Sequence, residues 1–141
     1  MSARTTQVEI IVFKIIENEI RFLLLKRNER KGDFWQPVTG GVEGEESLLQ
    51  TVKRELQEET GIKEYSRIID NVHYFEFNSE GYSLLKEHVF GVEVPPDTKI
   101  ELSSEHTEMR WCLLDESLAL LKYDSNRTAF KKLSSLLTIS K

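Results

Sequence analysis

The 141-residue chain carries 19 Lys or Arg against 24 Asp or Glu, a formal net charge of −5, with 39% of residues apolar and 30% charged. That length suits a single domain over residues 1–141, large enough to bury a core without disulfides or a structural metal, and the composition is globular, not disordered. The acidic balance excludes a general nucleic-acid binder, and no apolar run approaches the ~18 residues of a membrane span. The opening MSARTTQVEI has no apolar secretory segment, and the single Cys112 fits a reducing cytoplasmic compartment.

Charge is unevenly distributed. Residues 21–31 hold Arg21, Lys26, Arg27, Arg30 and Lys31 against one Glu, and residues 41–60 hold six Glu against Lys53 and Arg54. A basic segment followed by an acidic one suits an anion and a cation held together; two solvated faces of opposite bias explain the same pattern.

The segment VEIIVFKII (8–16) sets Val8, Ile10 and Val12 on one face and Ile11, Phe13 and Ile15 on the other, which predicts a strand covered on both sides. Glu17-Asn18-Glu19 predicts a short turn into a second strand over 20–27. Residues 28–46, rich in Gly and charge and containing Pro37, predict a long loop, and such loops are usually functional. A helix is expected over 47–60, with Ser47 near its start and Gly61 at the left-handed C-terminal cap. Strands are expected over 66–78, 86–94 and 108–114, and helices over 115–122 and 126–138. The fold class is an α+β or α/β sandwich.

On the helix, Leu48, Leu49, Val52 and Leu56 form an apolar stripe, and Gln50, Lys53 and Gln57 face solvent. Glu55, Glu58 and Glu59 gather at the edge of that stripe. Like charges at these spacings cost roughly 0.2–0.5 kcal/mol per pair, and Glu58 and Glu59 near the helix C-terminus lose roughly 0.3–1 kcal/mol each against the macrodipole. Arg54 is the nearby cation. A divalent ion would turn the repulsion into coordination, and all-oxygen ligands suit Mg²⁺ or Mn²⁺; an ordinary solvated acidic face is the alternative. Lys26 and Arg27, ending the second strand, are candidates to meet phosphate oxygens. Trp35 and Phe34, beside the glycines, are candidates to stack on a flat ring. His73, His88 and His106 lack zinc-ligand spacing.

From Gly40 the chain runs Gly40, five residues, Glu46, seven residues, then Arg54-Glu55-Leu56-Gln57-Glu58-Glu59-Thr60-Gly61-Ile62. This resembles a complete Nudix box, G-x5-E-x7-R-E-U-x-E-E-x-G-U with U aliphatic, with all nine specified positions matched over 23 residues. The resemblance implies an α/β/α sandwich with a mixed sheet and a hydrolase that cleaves a nucleoside diphosphate linked to another group. By the same resemblance Glu55, Glu58 and Glu59 are the metal ligands, with a backbone carbonyl from Thr39 or Gly40. Glu58 is then the carboxylate nearest the attacking water, and Arg54 orients the acids. Glu46 supports the loop and helix start, and Gly61 ends the helix. One departure is visible: Glu45, not Gly, stands immediately before the first box Glu, which implies altered loop geometry.

FWQPVTGG (34–41), SSEHTEMRWCLLDESLALL (103–121) and SNRTAF (125–130) are similar to the dihydroneopterin triphosphate pyrophosphatase and dATP pyrophosphohydrolase group. That likeness implies pocket roles for Asn126 and Arg127, and a metal-ligand or general-base role for Glu105. The Glu105-His106 pair before an aromatic-ending strand also resembles dinucleoside tetraphosphate hydrolases. The expectation is therefore a Mg²⁺-dependent pyrophosphohydrolase (Mn²⁺ substituting) acting on a small nucleoside or pterin triphosphate, as a monomer or homodimer. The alternatives are a dinucleoside polyphosphate hydrolase and a non-catalytic nucleotide sensor.

Overall fold

The computed structural model describes residues 6–27, 34–79 and 82–138, so Arg30, Lys31 and the first part of the expected loop lie outside the described residues. Seven strands form one mixed sheet. They are β1 (Thr6–Ile16), β2 (Glu19–Arg27), β3 (Trp35–Gln36), β4 (Val38–Gly41), β5 (Arg67–Ser79), β6 (Tyr82–Glu93) and β7 (His106–Cys112). The helices are α1 (Leu48–Thr60), α2 (Leu114–Leu120) and α3 (Asp124–Thr138).

The main path of the sheet is β3-β2-β1-β6-β5; β1 and β6 run parallel, the other strand pairs are antiparallel, and Trp35 adds an isolated parallel bridge to Leu121. Glu17 and Asn18 adopt φ of 51° and 69°, the two positive values of a tight hairpin whose twist matches its strands. β1 and β2 pair only from Phe13↔Phe22 to Ile16↔Glu19. Beyond that they separate, and the segment 35–41 enters the gap: β3 pairs β2 and β4 pairs β1, with Pro37 at the switch, where a residue without N–H interrupts no ladder.

The expected loop over 28–46 therefore contains two strands. They are two and four residues long, too short for any periodicity, and their pairing is set by distant strands rather than by local sequence. The other elements follow the expected order with ends displaced by at most four residues; β6 begins at Tyr82, and β7 ends at Cys112.

The alternation in β1 builds two cores. Val8, Ile10 and Val12 join Leu23, Leu25, Val38, Phe90 and Val92 under Val52 and Leu56 of α1. Ile11 and Phe13 join Phe22, Leu24 and Val89 under Ala129, Phe130 and Leu133 of α3. The result is an α/β/α sandwich, with α1 on one face and α2 and α3 on the other. Burying Val52 and Leu56 contributes roughly 1.5–3 kcal/mol each, which outweighs the crowding of acids on α1. Leu49, expected in the apolar stripe, is exposed, because the docking surface runs through Thr51, Val52, Glu55, Leu56 and Glu59 and leaves it at the rim.

Candidate active site

The helix that carries the acids is closed at both ends. Ser47 Oγ accepts from Gln50 N at 3.1 Å while Ser47 N donates to the Gln50 side chain at 2.8 Å, a reciprocal cap. Gly61, at φ 75°, donates its N–H to Gln57 O at 3.0 Å, so the chain leaves the helix in the left-handed conformation that glycine adopts without strain.

Arg54 ties this helix to the preceding loop. Its Nε and one terminal nitrogen grip both oxygens of Glu46 at 2.7 and 3.1 Å, and that nitrogen also donates to Gly41 O at 2.8 Å. The other terminal nitrogen donates to Glu55 at 2.9 Å and Glu58 at 3.2 Å. Glu46 accepts further from Glu43 N and Thr51 Oγ1 at 3.0 and 2.9 Å. The Arg54 bond, aided by the Glu43 amide, pulls its carboxyl down to about 2.

Glu55 is 6% exposed. Its carboxyl rests against the backbone of Gly40: a Cβ at that position would lie 2.0 Å from Glu55 Cδ. Burial pushes Glu55 up to about 6 against the pull of Arg54, and the charges of Glu59 and Glu58 add to the rise. Glu59, also buried, moves the other way, held low first by the adjacent His106 ring and then by the Ser103 hydroxyl, which donates at 2.7 Å. His106 Nδ1 stands 3.2 Å from Glu59 Oε1, and Gln36 Nε2 stands 3.2 Å from His106 Nε2. The charge of Arg27 also lowers Glu59, which places the end of β2 near the acids. Glu58 is largely exposed.

Arg54 thus offsets part of the charge of Glu46, Glu55 and Glu58 in this arrangement, and among the described residues no three acidic, imidazole or thiol groups are placed to enclose an ion. The donor set nevertheless fits a hard divalent cation. Glu55 lies in a cradle that only glycine permits, and Glu58 and Glu59 follow within one helical turn.

The remaining candidates fall in different places. Lys26 stands 3.9 Å from Glu108 and 5.9 Å from the centre of the Trp35 ring. Trp35 packs on the α3-side core under the Arg110 guanidinium. Exposed Glu105 leads into β7, its N–H donating to Ser103 Oγ at 3.3 Å. Arg127 clamps the α2–α3 turn through Asp124 and the Leu121 carbonyl. Asn126 is buried and lines a cavity of about 480 Å³ with Thr39, Gln36 and Glu87; Trp35 and Arg127 are not in that wall. Successive residues of β4 face opposite ways, so Gly40 meets Glu55 while Thr39 meets the cavity. Cys112 is fully buried, and burial pushes its thiol up to about 11, an inert state.

Glu9, Glu87, Gln36 and the approach of His106 to Glu59 were not legible as site features. The available signal was a carboxylate in the interior of each of two largely apolar strands, where burial without purpose is costly.

Residues 5–133 match the model of the NUDIX domain, and the chain belongs to the Nudix family. It is 31% identical over 137 residues to dihydroneopterin triphosphate diphosphatase of Escherichia coli K12, covering 89% of this chain and 90% of that protein. It is 32% identical over 124 residues to the asymmetrical bis(5'-nucleosyl)-tetraphosphatase of Rattus norvegicus, covering 86% and 84%. A match of 36% identity over 126 residues to an octanoyltransferase of Myxococcus xanthus takes in 89% of this chain but 35% of that protein, so the chain spans about a third of that relative's length. The crystal structure of a NUDIX hydrolase from Listeria monocytogenes superposes with a TM-score of 0.83 at 29% identity, covering 96% and 95% of the two chains. The class is that of hydrolases of phosphoric anhydride bonds, a family that generally uses a divalent metal and small nucleotide substrates. Among the described residues no helix is long and apolar enough to cross a membrane.

Proposed function

We propose that this chain, acting as one domain in the cytoplasm, is a Mg²⁺-dependent pyrophosphohydrolase of a (deoxy)nucleoside or pterin triphosphate. Water attacks one phosphorus, the bond to the bridging oxygen breaks, and monophosphate and pyrophosphate are released. The observation that carries this reading is the carboxyl of Glu55 seated on Gly40, one helical turn from Glu58 and Glu59 and anchored by Arg54.

In this reading Glu55, Glu58 and Glu59, with a carbonyl of Gly40 or Thr39, hold Mg²⁺, for which Mn²⁺ substitutes. The ion supplies charge neutralisation and Lewis acidity toward the phosphates. Arg54 orients Glu55 and Glu58, and Lys26 and Arg27 meet phosphate oxygens where the acids alone would repel them. Glu105 is the candidate base on the loop beside Ser103. Asn126 belongs to the substrate pocket. Trp35 and Arg127 support that pocket from outside its wall.

Similarity to the rat tetraphosphatase favours a second reading, hydrolysis of a dinucleoside polyphosphate. Incubation with Mg²⁺ and both substrate types separates them. Pyrophosphate release from triphosphates supports the first, and two nucleotides from a dinucleoside tetraphosphate support the second. No cleavage of either overturns both and leaves a nucleotide sensor, which has no need of the full glutamate set.

A further inference from the structure

The cavity on the α3 side of the sheet has a polar floor that the Nudix box does not account for. Its volume of about 480 Å³ falls within the roughly 300–1,000 Å³ of small-molecule sites. Phe75 and Phe77 line one wall as a stacked pair, ring centres 5.9 Å apart and planes 29° apart, and Phe77 is 38% exposed. Tyr123 also lines the cavity. Such faces suit a flat ring.

Beneath them lie two carboxyls. Glu9 is fully buried; one oxygen accepts from Asn126 Nδ2 at 2.8 Å, and the other meets no N–H or hydroxyl donor. Its neighbour is the Glu87 carboxyl, whose charge adds to the effect of burial on Glu9. Glu9 is sealed from solvent, whereas Glu87 borders the cavity, so a negative charge costs less on Glu87 than on Glu9. Burial moves both carboxyls upward, Glu87 to about 7. An apolar pair would pack these strands at lower cost. Glu87 is placed where a ligand would meet it.

We propose that this cavity receives the flat ring of the substrate and that Glu87 selects rings presenting two adjacent N–H donors, the 2-amino-4-oxo edge shared by guanine and pterin, over adenine. A carboxylate only accepts. It takes both N–H groups of such an edge, whereas adenine sets a ring lone pair beside its amino group. The neighbouring Asn126 amide is held by Glu9 and fixes the depth of the ring. The inference rests on the proposed function for the substrate class, but ring selection can be read without hydrolysis.

The test is calorimetric titration of the full chain with GMP, neopterin and AMP, beside kcat and KM for the matching triphosphates with Mg²⁺. GMP and neopterin should bind at least about tenfold more tightly than AMP, and Glu87→Gln should weaken them roughly 10–100-fold while sparing AMP. Phe77→Ala should weaken all three alike and leave their ratio unchanged. Equal affinity of the unaltered protein for GMP and AMP, or an unchanged ratio in Glu87→Gln, overturns the inference. Should Glu87→Gln fail to fold, the comparison in the unaltered protein still decides. Selective ring binding without cleavage keeps the inference and removes the pyrophosphohydrolase; cleavage without selectivity does the reverse.

Discussion

His106 Nδ1 lies 3.2 Å from Glu59 Oε1, joining the start of β7 to the last turn of α1. The amide nitrogen of Gln36 can only donate, so its approach to His106 Nε2 at 3.2 Å leaves the ring proton on Nδ1, the nitrogen nearer Glu59. The ring thus stands beside a Glu59 carboxylate that the Ser103 hydroxyl also holds, and Glu59 is positioned before any ion arrives. Groups that orient metal ligands are worth about 10–100-fold in metal affinity. His106→Ala should therefore raise the Mg²⁺ concentration for half-maximal turnover by about tenfold or more, with the rate at saturating Mg²⁺ less affected. His106→Asn, whose amide can still donate, should recover part of the loss. A Mg²⁺ titration of turnover that is unchanged in His106→Ala would disprove the orienting role.

Gly40 provides a sharper separation of site from fold. A methyl there would overlap Glu55 Cδ at 2.0 Å, but the obstructed atoms are the end of a flexible side chain. Gly40→Ala should displace the Glu55 carboxyl while β4 stays paired with β1. Turnover should fall by about 100-fold, in the range seen when a charge-stabilising group is removed, while the melting temperature moves by only a few degrees. Turnover within about threefold of the unaltered protein would mean that Glu55 works from another position.

How much of this was legible in the sequence depends on the range of the interactions. The caps at Ser47 and Gly61 and the acid spacing on α1 are set by residues within a turn or two, and the structure follows them. The alternation of β1 foretold both cores, since each face carries its own apolar set. β3 and β4 were illegible because strands of two and four residues exist only by pairing with β2 and β1. The cavity floor was illegible for the same reason. Glu9 and Glu87 are 78 positions apart in number, and only the parallel register of β1 on β6, which pairs Gln7 with Glu87 and Glu9 with Val89, brings them to neighbouring positions.

Arg54 should matter to folding as well as to chemistry. It bonds Glu46, Gly41 O, Glu55 and Glu58, so its loss frees the loop before α1 and leaves Glu55 a buried, uncompensated acid. Arg54→Ala should cost about 2–3 kcal/mol, after allowance for its partial exposure, read as a lower urea midpoint at constant slope. Arg54→Lys should recover little, because one ammonium cannot grip both oxygens of Glu46 and the Gly41 carbonyl together. A lysine variant with full stability and turnover would show that charge alone suffices.

The acid pair gives stability a pH dependence of defined sign. Burial raises Glu87 to about 7, against an ordinary value of 4.5. Between those values the folded chain binds more protons than the unfolded one, so stability is full below about 4.5 and falls as pH rises through 7. Glu9, raised by burial and by the Glu87 charge, extends the fall upward. Glu87→Gln removes one titrating group and eases the other. Its melting temperature should exceed that of the unaltered protein at pH 8, and the gap should shrink steadily toward pH 5. Melting curves collected at half-unit steps between pH 5 and 8 measure this directly. A gap that stays constant, or widens as pH falls, would mean that Glu87 keeps its charge throughout.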